Sequence, residues 1–296
     1  MTAGDHRADL DPVTVIVVTF NSAHCIEALA HALTGFAHVM VVDNASHDDT
    51  RAAVRQHMPH AQWLGNDRNL GFGAANNLAL RQVTTPFAFL LNPDCETQAD
   101  DVVQLLQAAR AHPGFAIIVP QLTQSAGRPD INYRWPSTQW PSRGPGADGP
   151  CCVGFVCGAA MLFNMAVMRD VGFFDESFFL YYEDDDLCTR VFGQKKQMLL
   201  IPAVRVVHRS RGSVGGSHRW RSEYWRGYHH AQSKIRFAAK YKGVQEAKAL
   251  RRRVLALALL ALPIRLLLPV PRHVGRLAGR IGGLLNRHFR RQVLGA

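Results

Sequence analysis

The chain predicts an α/β fold built on a doubly wound, parallel sheet, and three observations carry that prediction. Short apolar runs alternate with longer amphipathic stretches over the first part of the chain. The runs are continuous and β-branched, as in strands covered on both faces. Each ends in a small polar cluster, and in such sheets ligands gather beyond the carboxyl ends of the strands.

Val13 to Thr19 is the first strand; it closes on Phe20-Asn21-Ser22 and leads into a helix from His24 to Leu33. Val39 to Val42 is the second. In the polar cluster after it, Ser46 suits a helix cap, and Asp48 and Asp49 suit the positive end of that helix. A short strand, Gln62 to Gly65, precedes Asn69-Leu70-Gly71-Phe72-Gly73-Ala74-Ala75-Asn76-Asn77 and a helix from Ala74 to Val83. Strand Phe87 to Leu91 ends in Asn92-Pro93-Asp94, and helix Asp100 to Ala111 with strand Phe115 to Val119 completes the alternation. Thr19 to Asn21, Asp43 to Asn44 and Asn92 to Asp94 thereby fall on one rim, although they lie far apart in sequence.

From Ser125 to Pro150 the periodicity is lost, and Pro136, Pro141, Pro145 and Pro150 mark a long loop or lid. Gly154 to Phe163 is apolar again, and its glycines suit a strand that a ligand or another backbone approaches closely. The next stretch is the most unusual in the chain. Six aromatics between Phe173 and Tyr182 run directly into Glu183-Asp184-Asp185-Asp186. Acids crowded against one another and against rings are costly to ionise, and such arrangements gather at functional sites. A helix N-terminus continuing through Leu187, Val191 and Phe192 is the structural alternative, and both can hold. Strands Gln197 to Ile201 and Val204 to His208 follow, then an aromatic-studded helix from His218 to Lys240.

At 296 residues and 47% hydrophobic content the chain can bury one large core or two smaller ones. Residues 1–12 are polar and carry no secretory or anchoring pattern. The six cysteines show neither CxxC pairs nor zinc-ligand spacing and read as reduced thiols of a cytoplasmic protein. The net charge of +11 is uneven: from Lys234 onward 15 basic residues face one acid, giving +14, so the preceding residues carry −3. That balance argues against a nucleic-acid groove across the fold and points to a tail that meets something anionic. Within the tail, Val254 to Val270 is apolar but broken by Pro263 and Arg265, and is short for a span of about 20 residues. Arg272, Arg276, Arg280, Arg287, Arg290 and Arg291 then interleave with Val274, Leu277, Ile281, Leu284, Leu285 and Phe289. This is the pattern of a helix lying in a membrane interface, with packing on its own domain as the structural alternative. The expected organisation is a polar segment 1–12, a domain 13–240 with halves 13–120 and 151–240, and a membrane-associating tail 241–296.

On the rim, Asp43 can accept from a base N–H, and Asp94 is a hard oxygen ligand suited to Mg²⁺ or Mn²⁺ on a diphosphate. Asn69, Gly71, Gly73 and Asn76 allow close approach to phosphate or ribose. The run from Gly71 to Asn76 half-imitates the dinucleotide fingerprint, but lacks its last glycine and does not open the first strand–helix turn.

Taken together, Val18-Thr19-Phe20-Asn21, Val42-Asp43-Asn44-Ala45-Ser46, Asn69 to Asn77, Leu91-Asn92-Pro93-Asp94 and Glu183 to Leu187 resemble the family 2 glycosyltransferases. These are inverting enzymes of the GT-A fold, and the likeness is strongest to a rhamnosyltransferase-like branch that builds surface polysaccharide. The likeness runs from about Val13 to Ser213 in the family's order. It implies a GT-A sheet merged with an acceptor-binding half, followed by C-terminal amphipathic helices. It places Thr19, Phe20, Asn21, Asp43, Asn69, Gly71, Asn76, Asn92 and Asp94 on the nucleotide sugar, with Asp94 and His208 on a divalent metal. Asn92 stands where many members carry an aspartate. It makes Asp184 the general base, Glu183 an orienting carboxylate, Tyr182 an acceptor contact and Asp186 an acceptor contact or a helix cap, leaving Asp185 as a solvated helix-start charge. Arg209 or Arg211 would face the leaving diphosphate. The implied partners are a nucleotide-diphosphate sugar, dTDP-L-rhamnose first, a lipid-linked saccharide acceptor, and the cytoplasmic face of a membrane. A sugar-phosphate nucleotidyltransferase would want a Gly-rich basic loop after the first strand, which Phe20-Asn21-Ser22-Ala23 is not. A membrane-bound binding module without catalysis is the other alternative, and the retained acids favour activity.

Overall fold

The computed structural model describes residues 7–131, 133–134, 145–209, 212–215, 219–267 and 270–295. Pro136, Pro141, Arg211 and His218 lie outside the described residues. Two compact units are formed: Met1–Asp175 with Asp184–Gly215, and Glu176–Glu183 with Gly216–Ala296.

The first unit opens with α1 (Arg7–Leu10), β1 (Val13–Thr19), α2 (Ala23–Ala32), β2 (His38–Asp43), α3 (Thr50–His57) and β3 (Gln62–Gly65). It continues through α4 (Phe72–Leu80), β4 (Phe87–Leu91), β5 (Cys95–Glu96), α5 (Ala99–Ala111) and β6 (Phe115–Thr123). After the Pro-rich stretch come β7 (Cys151–Cys152), β8 (Ala160–Asn164), α6 (Met165–Val171), α7 (Glu183–Gly193) and β9 (Gln197–His208). The expected β–α alternation up to residue 120 is present, with each boundary within a few residues of its predicted place.

The sheet order is β3-β2-β1-β4-β8-β6-β9-β5, with β7 also on β9. The sheet is mixed rather than parallel throughout. β1, β2, β3 and β4 pair in parallel, but β8 runs antiparallel to both β4 and β6. The connection accords with this: between β6 and β8 no helix lies among the described residues, so no right-handed helical crossover there dictates the direction of β8. Residues 154–158 are loop, not strand, and β8 starts only at Ala160. The two strands expected at 197–201 and 204–208 are one strand, β9, with a register shift against β6 opposite the Pro202 region. Pro202 withholds a ladder donor there, which is why the sequence looks broken at that point. Ser46 does not cap α3, whose cap position is Asp49.

Apolar side chains fill both faces of the sheet. Val13, Val15 and Val17 face one layer with Ile26, Leu29 and Val54. Ile16 and Val42 face the other with Ala75, Leu187 and Val191. Asp186 is fully buried beneath this second layer and accepts from Arg190 Nε at 2.9 Å. Arg190 also donates to the carbonyls of Val171, Gly172 and Phe173, so one guanidinium fixes the chain that leads toward α7. Asp186, which the resemblance places on the acceptor, has its carboxylate enclosed and held by Arg190 in this structure.

In the second unit, α8 (Arg219–Lys242), α9 (Val244–Leu267), α10 (Pro271–Leu285) and α11 (Arg287–Leu294) pack around Ile235, Leu284 and Phe289. Helix α8, expected in the acceptor half, thus groups with the tail. Segment 176–183 joins this unit: Phe179 stacks on His229 at 4.2 Å, and the rings of Tyr181 and Tyr182 meet His230 edge-on. Burial pushes the His229 and His230 imidazoles down to about 4, so both are neutral rings at neutral pH.

Close approach of α10 to α8 sets this unit. A Cβ at Gly279 would stand 1.8 Å from the Tyr224 carbonyl oxygen, and at Gly283 2.5 Å from that of Tyr228. The Gly275, Gly279, Gly283 spacing is a bare stripe on one face of α10, which lets the two backbones touch. Gly279→Ala, although it improves helix propensity, should destabilise the helical unit by about 1–3 kcal/mol through overpacking. An urea midpoint equal to or above that of the parent would refute this packing.

Candidate active site

The rim of the first unit is assembled by hydrogen bonds among loops that are distant in sequence. Thr19 Oγ1 donates to Asp43 Oδ1 at 2.8 Å, and the Ser46 hydroxyl and N–H hold Oδ1 and Oδ2 at 2.5 and 2.9 Å. Thr19 is fully buried, so it supports Asp43 from behind. Asn21 takes a left-handed φ of 52°. Its Oδ1 accepts the His47 N–H at 2.8 Å and its carbonyl accepts the Gly215 N–H at 2.8 Å. Ala45 is also left-handed, at φ 62°. Two strained non-glycine residues on one rim are the kind of local cost found at functional sites.

Asn44, which sequence reasoning placed on the rim without a role, is the hub of this corner. Its Oδ1 accepts from Asn66 Nδ2 and the Leu70 N–H at 3.1 and 3.2 Å, and its Nδ2 donates to the Gly71 carbonyl at 3.1 Å. Asn69 Oδ1 in turn accepts the Gly71 N–H at 2.9 Å, and Gly71 takes φ 89° at the head of α4. Asn76, in contrast, is buried and donates back to the Phe72 carbonyl at 3.0 Å. The resemblance places Asn76 on the nucleotide; in this structure its amide turns back onto α4. Asn77, one residue on, holds both backbone groups of Phe174 at 2.9 and 3.0 Å.

Asp94 is the best-defined candidate ligand. Antiparallel pairing of β5 with β9 sets Cys95 opposite His208, which brings His208 Nε2 to 3.7 Å from Asp94 Oδ1. Oδ2 accepts the N–H groups of Gly212 and Ser213 at 2.9 and 3.1 Å. Oδ1 is buried and has no hydrogen-bond partner among the described residues. A buried carboxylate oxygen facing an imidazole nitrogen fits a divalent cation with oxygen and nitrogen preference. Cys95 lies in the same cluster, but burial pushes its thiol well up and it donates to the Ala159 carbonyl, so it does not offer a thiolate. Arg209 pairs with Glu96 at the surface. A cleft of about 1050 Å³ beside Asp94 is lined by His24, His31, Glu96, Gln98 and Arg209, and not by Asp43, Gly71 or Asp184.

Loop 212–215 links the two clusters. His24 Nε2 and the Gly212 carbonyl lie 2.6 Å apart, and Ser22 Oγ donates to the Ser213 carbonyl at 2.7 Å. The same loop therefore touches the end of β1, the start of α2 and Asp94.

The acidic stretch reaches the rim through a turn at Gly158–Ala159. The Gly158 backbone favours the charged form of Asp184, while the Ala159 carbonyl accepts the Asn92 N–H at 2.8 Å. A Cβ at Gly158 would meet the Phe72 ring at 3.0 Å, so α4 abuts the same turn. Burial first, and then the charge of Asp185, push the Asp184 carboxyl up to about 7; Arg134 and the Gly158 backbone oppose the rise. Asp185 is not the solvated charge expected: it pairs with Arg134 at 2.6 Å and is 12% exposed. The guanidinium also lies 3.9 Å over the Phe155 ring. Arg134 comes from the irregular Pro-rich stretch, where no periodicity could have singled it out. Glu183 opens α7 and is buried, and Tyr181 and Tyr182 before it are both left-handed, at φ 67° and 68°. Phe20 and Asn92 are half-buried on the rim.

The fold and the site define a glycosyltransferase of the GT-A class: a mixed sheet carrying loop-borne acids at the carboxyl ends of its first strands, with an acidic helix brought to them. The profile described as Glycosyl transferase family 2 matches residues 14–172, more than half of the chain, and the protein belongs to that family. The low-salt glycan biosynthesis hexosyltransferase Agl10 of Haloferax volcanii is 26% identical over 210 residues, covering 67% of each chain. The N-acetylglucosaminyl-diphospho-decaprenol L-rhamnosyltransferase of Mycobacterium tuberculosis is 25% identical over 247 residues, covering 69% of this chain and 78% of the relative. Among solved structures, the mannosyltransferase PcManGT of Pyrobaculum calidifontis, in complex with GDP-Man and Mn²⁺, superposes with a TM-score of 0.57 at 19% identity over 94% of this chain and 89% of the other. GalNAc-T7 with UDP, GalNAc and Mn²⁺ gives a TM-score of 0.56 at 14% identity over 76% of this chain; the match spans about half, 51%, of that longer chain.

Asn44→Leu keeps the volume of the side chain but strands the Leu70 N–H and the Gly71 carbonyl. Loss of at least about 1–3 kcal/mol is expected in urea unfolding. A stability unchanged from the parent would show that Asn44 is not the hub of this corner.

Proposed function

We propose that the protein is an inverting glycosyltransferase that moves a sugar from a nucleotide-diphosphate donor to a hydroxyl of a lipid-linked saccharide. L-Rhamnose from dTDP-L-rhamnose is the donor we favour. The observation that carries this reading is the buried Asp94 Oδ1 facing His208 Nε2 at 3.7 Å, on a segment that the Gly158–Ala159 turn holds through the Asn92 N–H, with Asp184 influenced by the same turn. A base and a candidate diphosphate-binding carboxylate held in common are what an inverting transfer requires.

In this reading the nucleoside rests on Phe20, Asn21 and the corner built by Asn44, Asn69 and Gly71. The second lone pair of Asp43 Oδ2 accepts from the base N–H. Asp94 and His208 would hold Mg²⁺ or Mn²⁺, which when bound supplies positive charge to the leaving diphosphate. Asp184 removes the acceptor proton as the hydroxyl oxygen attacks C1 from the face opposite the nucleotide, and the C1–O bond to the diphosphate breaks. Glu183 orients the sugar hydroxyls and Tyr182 offers its ring to the acceptor. The identified relatives support the substrate class: one is named for an L-rhamnosyl transfer to a diphospho-decaprenol-linked sugar, the other for a hexosyl transfer. Such an acceptor would place the protein at the cytoplasmic face of a membrane, as the basic tail also suggests.

The base must be ionised to act, so a pKa raised to about 7 makes kcat/KM rise with pH through neutrality and level off above it. Arg134 lowers the pKa of both Asp184 and Asp185, so Arg134→Gln should move that limb to higher pH. Asp184→Asn should lose about 10²–10⁴-fold in turnover while donor binding survives. Near-parental turnover in purified Asp184→Asn, or a flat pH profile, would remove Asp184 from the role of base.

Thermal shift of the purified protein against a panel of nucleotide sugars, with and without Mn²⁺, tests the donor and the metal together, since a ligand of the native state raises stability by mass action. The largest shift is expected with dTDP-L-rhamnose and Mn²⁺, and Asp94→Ala should abolish the Mn²⁺-dependent part. A larger shift with another nucleotide sugar reassigns the donor.

A further inference from the structure

We infer that the distal part of α9, residues 257–267, is the segment that enters the bilayer, lying in the interfacial region of an anionic membrane, and that α10 is not. This rests on the proposed work at a membrane surface and names the element that performs it.

Six large apolar side chains are exposed within this short segment: Leu257, Leu259, Leu260, Ile264, Leu266 and Leu267, at 57, 49, 73, 62, 58 and 81%. At about 100° per residue, Leu257, Ile264, Leu260 and Leu267 form one arc, and Leu259 and Leu266 extend it to about half the circumference. A protein groove takes a stripe of a helix. Half a circumference of leucine, with Arg265 as its one charge, suits fluid hydrocarbon that closes around the helix.

The charges at its ends choose the lipid. Arg251, Arg252 and Arg253 precede the apolar segment and Arg272 follows it. From residue 247 to 296 there are 11 Lys and Arg and no acid. A cationic collar at both ends of an apolar segment matches anionic headgroups above a hydrocarbon boundary. Among the described residues no helix is long and apolar enough to cross a membrane. Eleven residues reach only about 16 Å, against about 30 Å of hydrocarbon, so the segment lies in one leaflet.

Helix α10 carries the more regular amphipathic pattern, yet its apolar face is already used. Val274, Leu277 and Leu284 are buried, and the glycine stripe is pressed onto the α8 backbone. An inserting helix must offer apolar surface to lipid, and that of α10 is given to α8.

The experiment is flotation of the full chain with vesicles of phosphatidylcholine containing about a third phosphatidylglycerol, against pure phosphatidylcholine vesicles. The parent should float with the anionic vesicles and much less with the neutral ones. Leu260→Asp with Leu267→Asp replaces two of the most exposed side chains, leaving the buried core untouched, and should cut the floated fraction at least about tenfold. Its Mn²⁺- and donor-dependent thermal shift should equal the parent's, which shows that it folds. Parental flotation of this variant overturns the assignment to α9 and leaves the membrane reading standing. Complete release of the parent by salt alone overturns insertion, and equal flotation with neutral vesicles overturns the choice of anionic lipid. A parent that floats with neither vesicle overturns the inference and the membrane reading together. Absence of any donor-dependent shift in a parent that floats counts against the transferase reading alone.

Discussion

Position 158 is too close to the Phe72 ring for a side chain to enter unless that ring gives way, and the candidate active site is organised around that contact. The Phe72 ring lies so near that an added Cβ would meet it at 3.0 Å. With glycine there, the head of α4 can lie against the turn, the Gly158 backbone can favour the charged form of Asp184, and the next carbonyl can take the Asn92 N–H. Three segments otherwise separated by about 20 to 110 residues are thereby registered on two consecutive peptide units. The turn is backbone, so its geometry is fixed by the sheet that starts two residues later rather than by a mobile side chain. Placing polar groups on rigid backbone is how a fold can hold a carboxyl and a candidate metal ligand in a constant relation.

The four consecutive carboxylates show how one helix turn sorts chemically equal groups by burial. Asp186 points into the core and is neutralised outright by Arg190. Asp185 points toward the irregular stretch and is matched by Arg134. For Asp184, burial first and then the charge of Asp185 raise the pKa, and Arg134 opposes the rise. The balance between Asp185 and Arg134 limits the rise. A cation given directly to Asp184 would hold it ionised and make it a weak base, whereas an uncompensated Asp185 would push it out of the useful range. An acid run that looks redundant in sequence is three carboxylates in three different settings.

Much of the sheet was legible because burial on both faces forces a continuous apolar run, and nothing else in a domain of this size produces Val13 to Thr19 or Phe87 to Leu91. The direction of β8 was not legible, since a strand carries no mark of parallel or antiparallel pairing and only its connection decides. The rim was legible as a set of polar clusters after strands, but not the division of labour within it. Asn69 and Asn76 look alike in sequence, while one sits in the turn before α4 and the other inside it. Asn44 and Arg134 act through partners about 20 to 50 residues away, and a single chain shows no trace of that. His208 was reachable only by resemblance; the structure supplies the physical reason, the β5–β9 register.

The tail exposes the limit of amphipathic patterns most clearly. Regular spacing of apolar residues in α10 reports that one face is covered, and it says nothing about whether lipid or protein covers it. The glycines decide. A helix that meets lipid gains from large side chains, whereas one that must approach another backbone gains from having none, and Gly275, Gly279 and Gly283 stand on the face that meets α8. Helix α9 presents the opposite combination, irregular spacing with large exposed leucines, which a periodicity argument passes over. An apolar arc as broad as half the helix is wider than the stripe a protein groove takes, and its exposure to water is relieved when another apolar medium receives it.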